Sequence, residues 1–290
     1  MVDNGGRTLT NEELRQVHAI MLELLVEFDK FCNEHDIKYV ITAGTLLGAV
    51  RHKGFIPWDD DADIALTRIE YEKLKRNINA LNSDTIFFQD HDTDPKYLWG
   101  YGKLRRPGTK LVRKGQEHVS CQTGVYIDVF AMDDIPKTLP FQILKYYLWT
   151  LLRKILWARV GCKDAKKIYI KAIYMLLSMI PVDFVHGITK LLTRPAKKEY
   201  DCLVHPCLYP LWNRFNKMKI PRNKKYGMKK KWFLERKKYE FEGAKLWGSK
   251  DAHGFLKYIY GDYMKLPPID RRKQEVVFSE IDLGDSKKTM

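Results

Sequence analysis

The chain has 290 residues, 45% hydrophobic and 12% aromatic, which is enough for one large core with a subdomain and excludes a disordered chain. Its net charge of +15 is unevenly placed: residues 1–135 carry 17 Lys or Arg against 22 Asp or Glu, and residues 136–290 carry 34 against 14. An acidic half suits a divalent cation, and a basic half suits phosphate groups or an anionic bilayer.

In chain order, Thr10 and Glu13 have the spacing of a capping box. Leu14, Val17, Met21, Leu24, Leu25, Phe28 and Phe31 then recur at helical period, which predicts one amphipathic helix over 11–35. A buried strand at 37–42, a short helix at 45–51, a strand at 62–67 and a helix at 71–81 follow. Further strands are expected at 85–89, 99–105 and 125–130. Residues 137–200 differ in kind. Phe141, Leu144, Leu148, Leu151 and Ile155 form an apolar stripe among Trp, Tyr, Lys and Arg, and 168–192 repeats the mixture around Pro181. Such helices fit either a bilayer interface, lying flat, or an ordinary packed subdomain. The last part holds a very basic stretch, 214–238, and a polar tail.

The acidic opening MVDNGGRTLTNEE predicts no signal or transit peptide, and Lys145, Arg153 and Lys154 interrupt the most apolar run, so no membrane span is expected. Five scattered cysteines make no disulfide framework and predict a reducing compartment. Cys202, His205 and Cys207 are zinc-type ligands, but three without a fourth, at this spacing, read better as a connection with buried thiols.

Chemistry concentrates in 44–64, GTLLGAVRHKGFIPWDDDADI. Four carboxylates in five positions repel one another unless a cation joins them, and a divalent metal is the simplest one. Asp61 and Asp63, two apart at the start of a strand, share a face and can grip one ion; Asp60 is expected to face away, and Asp59 to reach the ion through water. Gly44 and Thr45, in a turn between strand and helix, leave N–H groups free for phosphate oxygens. A phosphate cradle opposite a carboxylate metal site is the minimum apparatus for phosphoryl transfer. Lys103 and Arg105 share a strand face, and Arg51 and His52 follow the cradle helix; all suit phosphates that the metal does not hold.

The run GTLLGAVRHKGFIPWDDDADIAL closely resembles the signature of the LicD family of phosphotransferases, which includes the fukutin-related proteins. GVYIDVFAMDDIP (124–136) is similar to the family's second acidic strand, and FEG with YIYGDYMKLPP (241–268) to its C-terminal signature. Ala62 and Ala131 depart from the larger aliphatic residue and the proline common there. The resemblance implies an α/β (α+β), nucleotidyltransferase-like mixed sheet flanked by helices: a core over 1–135, a basic helical insertion over 136–238, and a C-terminal part over 239–290 packing back on the core. It implies Mg²⁺ or Mn²⁺ on Asp61 and Asp63, with Asp128 as third ligand or as base, and Asp262 and Arg271 lining the donor or acceptor site. It implies transfer of a phospho-substituent from a cytidine nucleotide, such as CDP-choline or a CMP-linked analogue, to a sugar hydroxyl of a cell-surface glycan, with release of CMP.

Should that substituent carry an amine, Tyr97, Trp99, Tyr101, Phe241 and Tyr263 are candidate aromatic walls. A lipid-linked acceptor and the basic helices together suggest a cytoplasmic enzyme resting on the anionic inner face of a bacterial membrane. Two alternatives stand beside this reading: a nucleotidyltransferase that releases pyrophosphate, and a basic protein that binds nucleic acid or membrane without catalysis. Nucleic acid is the poorer partner, because an acidic turn repels a phosphate backbone.

Overall fold

The structure is a computed structural model and describes residues 5–136, 138–193, 203–206 and 227–284. The capping box forms as the sequence predicts. The Thr10 side chain accepts from the Glu13 N–H, and the Glu13 carboxylate accepts from the Thr10 N–H at 2.8 Å, starting helix α1 (Asn11–Glu34). The whole periodic apolar set of α1, from Leu14 to Phe31, is buried.

A nine-stranded mixed sheet organises the molecule. Its members are β1 (Tyr39–Ile41), β2 (Asp63–Thr67), β3 (Phe87–Gln89), β4 (Gly102–Arg105) and β6 (Tyr126–Asp134), joined by β7 (Leu203–Pro206), β8 (Met228–Lys229), β9 (Arg236–Phe241) and β10 (Ala244–Ser249). The main path runs β3-β4-β6-β2-β1-β10-β9, with β7 on β6 and β8 on β7. β2 runs parallel to β6, and β1 parallel to β10; the remaining pairs are antiparallel. A separate two-stranded sheet joins β5 (Lys110–Arg113) to β11 (Phe278–Asp282). Helix α2 (Ala43–Arg51) links β1 to β2, α3 (Arg68–Arg76) and α4 (Ile78–Leu81) follow β2, and α8 (Lys231–Leu234) and α9 (Ala252–Tyr260) flank the β9–β10 hairpin. One continuous apolar core connects α1, the central strands, α8 and α9. The chain is thus a mixed α/β protein, its sheet flanked by helices as expected.

The differences from the sequence expectation are local. The helix expected at 71–81 starts three residues earlier and breaks at Asn77, whose backbone leaves helical geometry. β6 extends to Asp134, because Arg68 clamps Asp133 through two hydrogen bonds of 2.6 and 2.9 Å and Lys230 pairs with Asp134. Helix α5 (Leu139–Asp164) then leads to α6 (Ile168–Ser178) and α7 (Val182–Leu192), which bend by 77° at the break before Pro181. The buried face of α5 carries Trp149, Leu152, Ile155 and Leu156. With Ile135 and Val185 they form a second, small core. No single described helix is long and apolar enough to cross a membrane.

Candidate active site

Three strands bring the chemistry together. In the sheet register Asp63 of β2 stands opposite Asp128 of β6, and Asp128 opposite Lys103 of β4. Directly opposed residues share a face, so two carboxylates and an ammonium form one row. Asp61 joins from just ahead of β2.

Each position is fixed by its surroundings. Thr45, in the first turn of α2, accepts the Asp63 N–H on its hydroxyl at 2.7 Å, and the Thr42 N–H donates to the Asp63 carbonyl at 3.0 Å. Thr45, expected to line a phosphate cradle, therefore anchors the strand that carries Asp63. A Cβ at Gly44 would stand 2.8 Å from a carboxylate oxygen of Asp59, which lies against the first helical turn and would have to shift. Ala43 sits at φ +44°, a costly conformation for a residue with a side chain, where chain and site meet. His18 of α1 contacts the Asp59 carbonyl at 2.7 Å and stacks on Phe55, so the acidic turn is tied to the main core. Asp60 turns to the C-terminal segment, accepting the Val276 N–H at 3.2 Å.

The electrostatics show crowding. The Asp61 carboxyl is pushed up to about 6 by burial and by the carboxylates of Asp128 and Asp60. Burial, with Asp61, Asp128 and Asp59 beside it, holds Asp63 well above the ordinary aspartate range. Asp59, Asp60 and Asp61 each offer an oxygen, all within 4.8 Å of one another. Hard oxygen donors packed this closely fit a Mg²⁺- or Mn²⁺-type cation. Asp60, expected to face away, thus belongs to the close cluster with Asp59 and Asp61, while Asp63 and Asp128 adjoin it electrostatically.

Lys103 is buried and forms an ion pair with Asp128. Its ammonium lies 3.4 Å from the centre of the Tyr126 ring. Burial pushes it down to about 7, against the pull of Asp128. Arg105 shares its face, but its guanidinium donates to Gln89 at 2.6 Å and to the Gly124 carbonyl at 2.8 Å, inside the protein. Arg51 donates to the Tyr263 carbonyl at 2.9 Å and to His52, which places it between the cradle helix and the C-terminal signature. Asp262 and Arg271 lie exposed in that signature. Cys202 and Cys207 fall outside the described residues, and His205 is buried with its Nδ1 at 2.8 Å from the Pro206 carbonyl.

Two residues escaped the sequence reading. Tyr126 stands two before Asp128 on the same face, a signal available from strand period. Its hydroxyl accepts from Arg113 Nε at 2.9 Å. Arg113 lies on β5, a short, half-charged strand that no pattern announces. Tyr126 foremost, with Asp128, Tyr101 and Asp61 further off, keeps its guanidinium charged. With Trp99, Tyr101, Lys103 and Cys121 the two line an open pocket beside the carboxylate row. Trp99 and Tyr101, named as candidate walls, do face a cavity; Tyr97 and Phe241 are fully buried instead.

Comparison with known proteins agrees with this geometry. The LicD/FKTN/FKRP nucleotidyltransferase-domain model matches residues 36–143, which hold every member of the carboxylate row. The lipopolysaccharide cholinephosphotransferase LicD of Haemophilus influenzae is 29% identical over 274 residues, covering 90% of this chain and 94% of that protein. An uncharacterised protein of Rickettsia prowazekii is 42% identical over 65 residues, 20% of this chain and 24% of its own length. The carboxylates held in register thus lie inside the domain that the LicD/FKTN/FKRP model matches, in a chain similar almost end to end to a LicD cholinephosphotransferase.

Proposed function

We propose that the chain moves a phospho-substituent, phosphocholine or a related phosphoalkylamine or phosphonate, from a cytidine-nucleotide donor to a sugar hydroxyl of a cell-surface glycan, releasing CMP. One observation carries this reading: Asp63, Asp128 and Lys103 stand in a single register row, with Asp61 adjoining it. The name of the Haemophilus relative supports phosphocholine as the group and a lipid-linked glycan as acceptor, and such an acceptor is consistent with a reaction at the inner face of a bacterial membrane.

Asp61, Asp63 and Asp128 would hold Mg²⁺ or Mn²⁺, which when bound supplies countercharge to the donor's phosphates. The chain's own groups do the rest. Thr45 fixes the Asp63 backbone, so the carboxylate cannot swing when substrate enters. Lys103 pairs with Asp128 in a buried setting, an arrangement that supports a ligand role for that carboxylate over a proton-accepting one. Arg113, anchored on Tyr126, presents a charged fork at the mouth of the pocket, suited to phosphate oxygens. In the transfer the sugar oxygen bonds to phosphorus, the bond from phosphorus to the CMP oxygen breaks, and the hydroxyl proton leaves to solvent or to a carboxylate of the row.

A donor screen tests this. CDP-choline, CDP-ethanolamine, CDP-polyols and CMP-aminoethylphosphonate are each incubated with Mg²⁺ and a glycan acceptor, and CMP is measured. CMP release tied to a modified glycan is expected from at least one donor. Pyrophosphate release from CTP or ATP, with no CMP from any donor, would replace the proposal with nucleotidyl transfer.

A further inference from the structure

The segment from α5 to α7 exposes a kind of surface the rest of the molecule hides. Twelve of the twenty exposed large apolar side chains among the described residues lie between Phe141 and Leu191. On α5, Phe141, Leu144, Tyr147 and Leu151 follow one another at roughly helical spacing, exposed along the flank beside its buried stripe. Helix α6, IYIKAIYMLLS, packs along α5 yet has no buried residue. Ile168 is 86% exposed, Leu176 69% and Met179 78%, and Phe184 and Leu191 continue the surface onto α7. An apolar patch of this extent on a soluble protein marks an interaction site.

Charge identifies the occupant. Residues 138–193 contain nine Lys or Arg against two Asp. Lys163, Lys166, Lys167 and Lys171 cluster at the α5–α6 corner and are all exposed. A second copy of the chain would bring like charges together across a self-complementary contact, whereas anionic headgroups satisfy them. The 77° bend between α6 and α7 spreads the apolar groups over a broad platform rather than a groove. We infer that α5, α6 and α7 dock on an anionic bilayer surface, apolar side chains entering the headgroup boundary and the corner lysines meeting lipid phosphates. This inference does not depend on the transfer chemistry.

Flotation of the full chain with phosphatidylcholine vesicles, with and without phosphatidylglycerol, tests it. Binding is expected only to the anionic vesicles, and it should weaken with salt. The pair Leu176→Glu with Met179→Glu, and separately Lys166→Glu with Lys167→Glu, should each weaken binding by about tenfold or more. Nucleotide release measured without vesicles should stay unchanged in both, which separates this result from failure of the transferase reading. Because the lysine pair lies wholly on the surface, it carries the test if the glutamate pair disturbs folding. Flotation with neither vesicle type, binding by both variants undiminished from that of the wild type, or a stable dimer that the glutamate pair dissociates would overturn the inference.

Discussion

The sheet and the helical segment treat their awkward residues in opposite ways. Around β2, β4 and β6, carboxylates, an ammonium and a guanidinium are drawn into the protein and paired: Asp128 with Lys103, Asp133 with Arg68, Asp134 with Lys230. Along α5 to α7, Ile, Leu, Met and Phe are left in solvent. Buried charge costs desolvation and persists where function needs a fixed field, and exposed apolar surface persists where a partner covers it. On the proposed reading, one region holds a small charged ligand and the other meets an extended surface.

That contrast breaks most sharply at the carboxylates. Asp61→Asn should lower turnover by ~10²–10⁴, the range for a lost electrostatic group, with the thermal melt preserved; near-normal turnover would remove Asp61 from the site. Next comes a pair of truncations. Leu24→Ala, in the fully buried face of α1, should cost about 2–5 kcal/mol in urea unfolding, whereas Leu176→Ala on α6 should stay within about 0.5 kcal/mol. Equal costs would mean that α6 is packed in solution. Thr45→Val, which deletes the acceptor for the Asp63 N–H, should cost about 1–3 kcal/mol and lower turnover more than Km rises.

The pH dependence sharpens the same point. Asp61 is raised from 3.8 to about 6 in the folded protein. Between those values the folded state keeps a proton that the unfolded chain has released. Metal-free protein should therefore lose stability as pH rises through that window. Mg²⁺ should restore it above the window, read as a rise in melting temperature, and a melt indifferent to both pH and Mg²⁺ would argue against crowded carboxylates.

How much of this was legible in the sequence follows from how local each feature is. The α1 cap and stripe depend on residues three and four apart, and both were readable. Asp61, Asp63 and Asp128 were readable as types on strands, but the register that aligns Asp63, Asp128 and Lys103 is set by pairing across the sheet. The β9–β10 hairpin and the β5–β11 pair were missed. RKKYEF and KLVR carry too many charges to look like strands, and β11 lies far along the chain from its partner. Of the apolar stripe that the sequence pointed to on α5, Ile155 is buried and Leu148 packs on the small core, yet Phe141, Leu144 and Leu151 face outward while Trp149, Leu152 and Leu156 face in. A helix apolar on nearly every side has no period from which to choose its inner face.

Titration with Mn²⁺, followed by calorimetry on the wild-type chain and on Asp63→Asn and Asp128→Asn, bears most directly on the central claim that this register row holds a divalent cation. Saturable binding in the wild type that both substitutions abolish is the predicted result. Wild-type binding undiminished in both variants would contradict it.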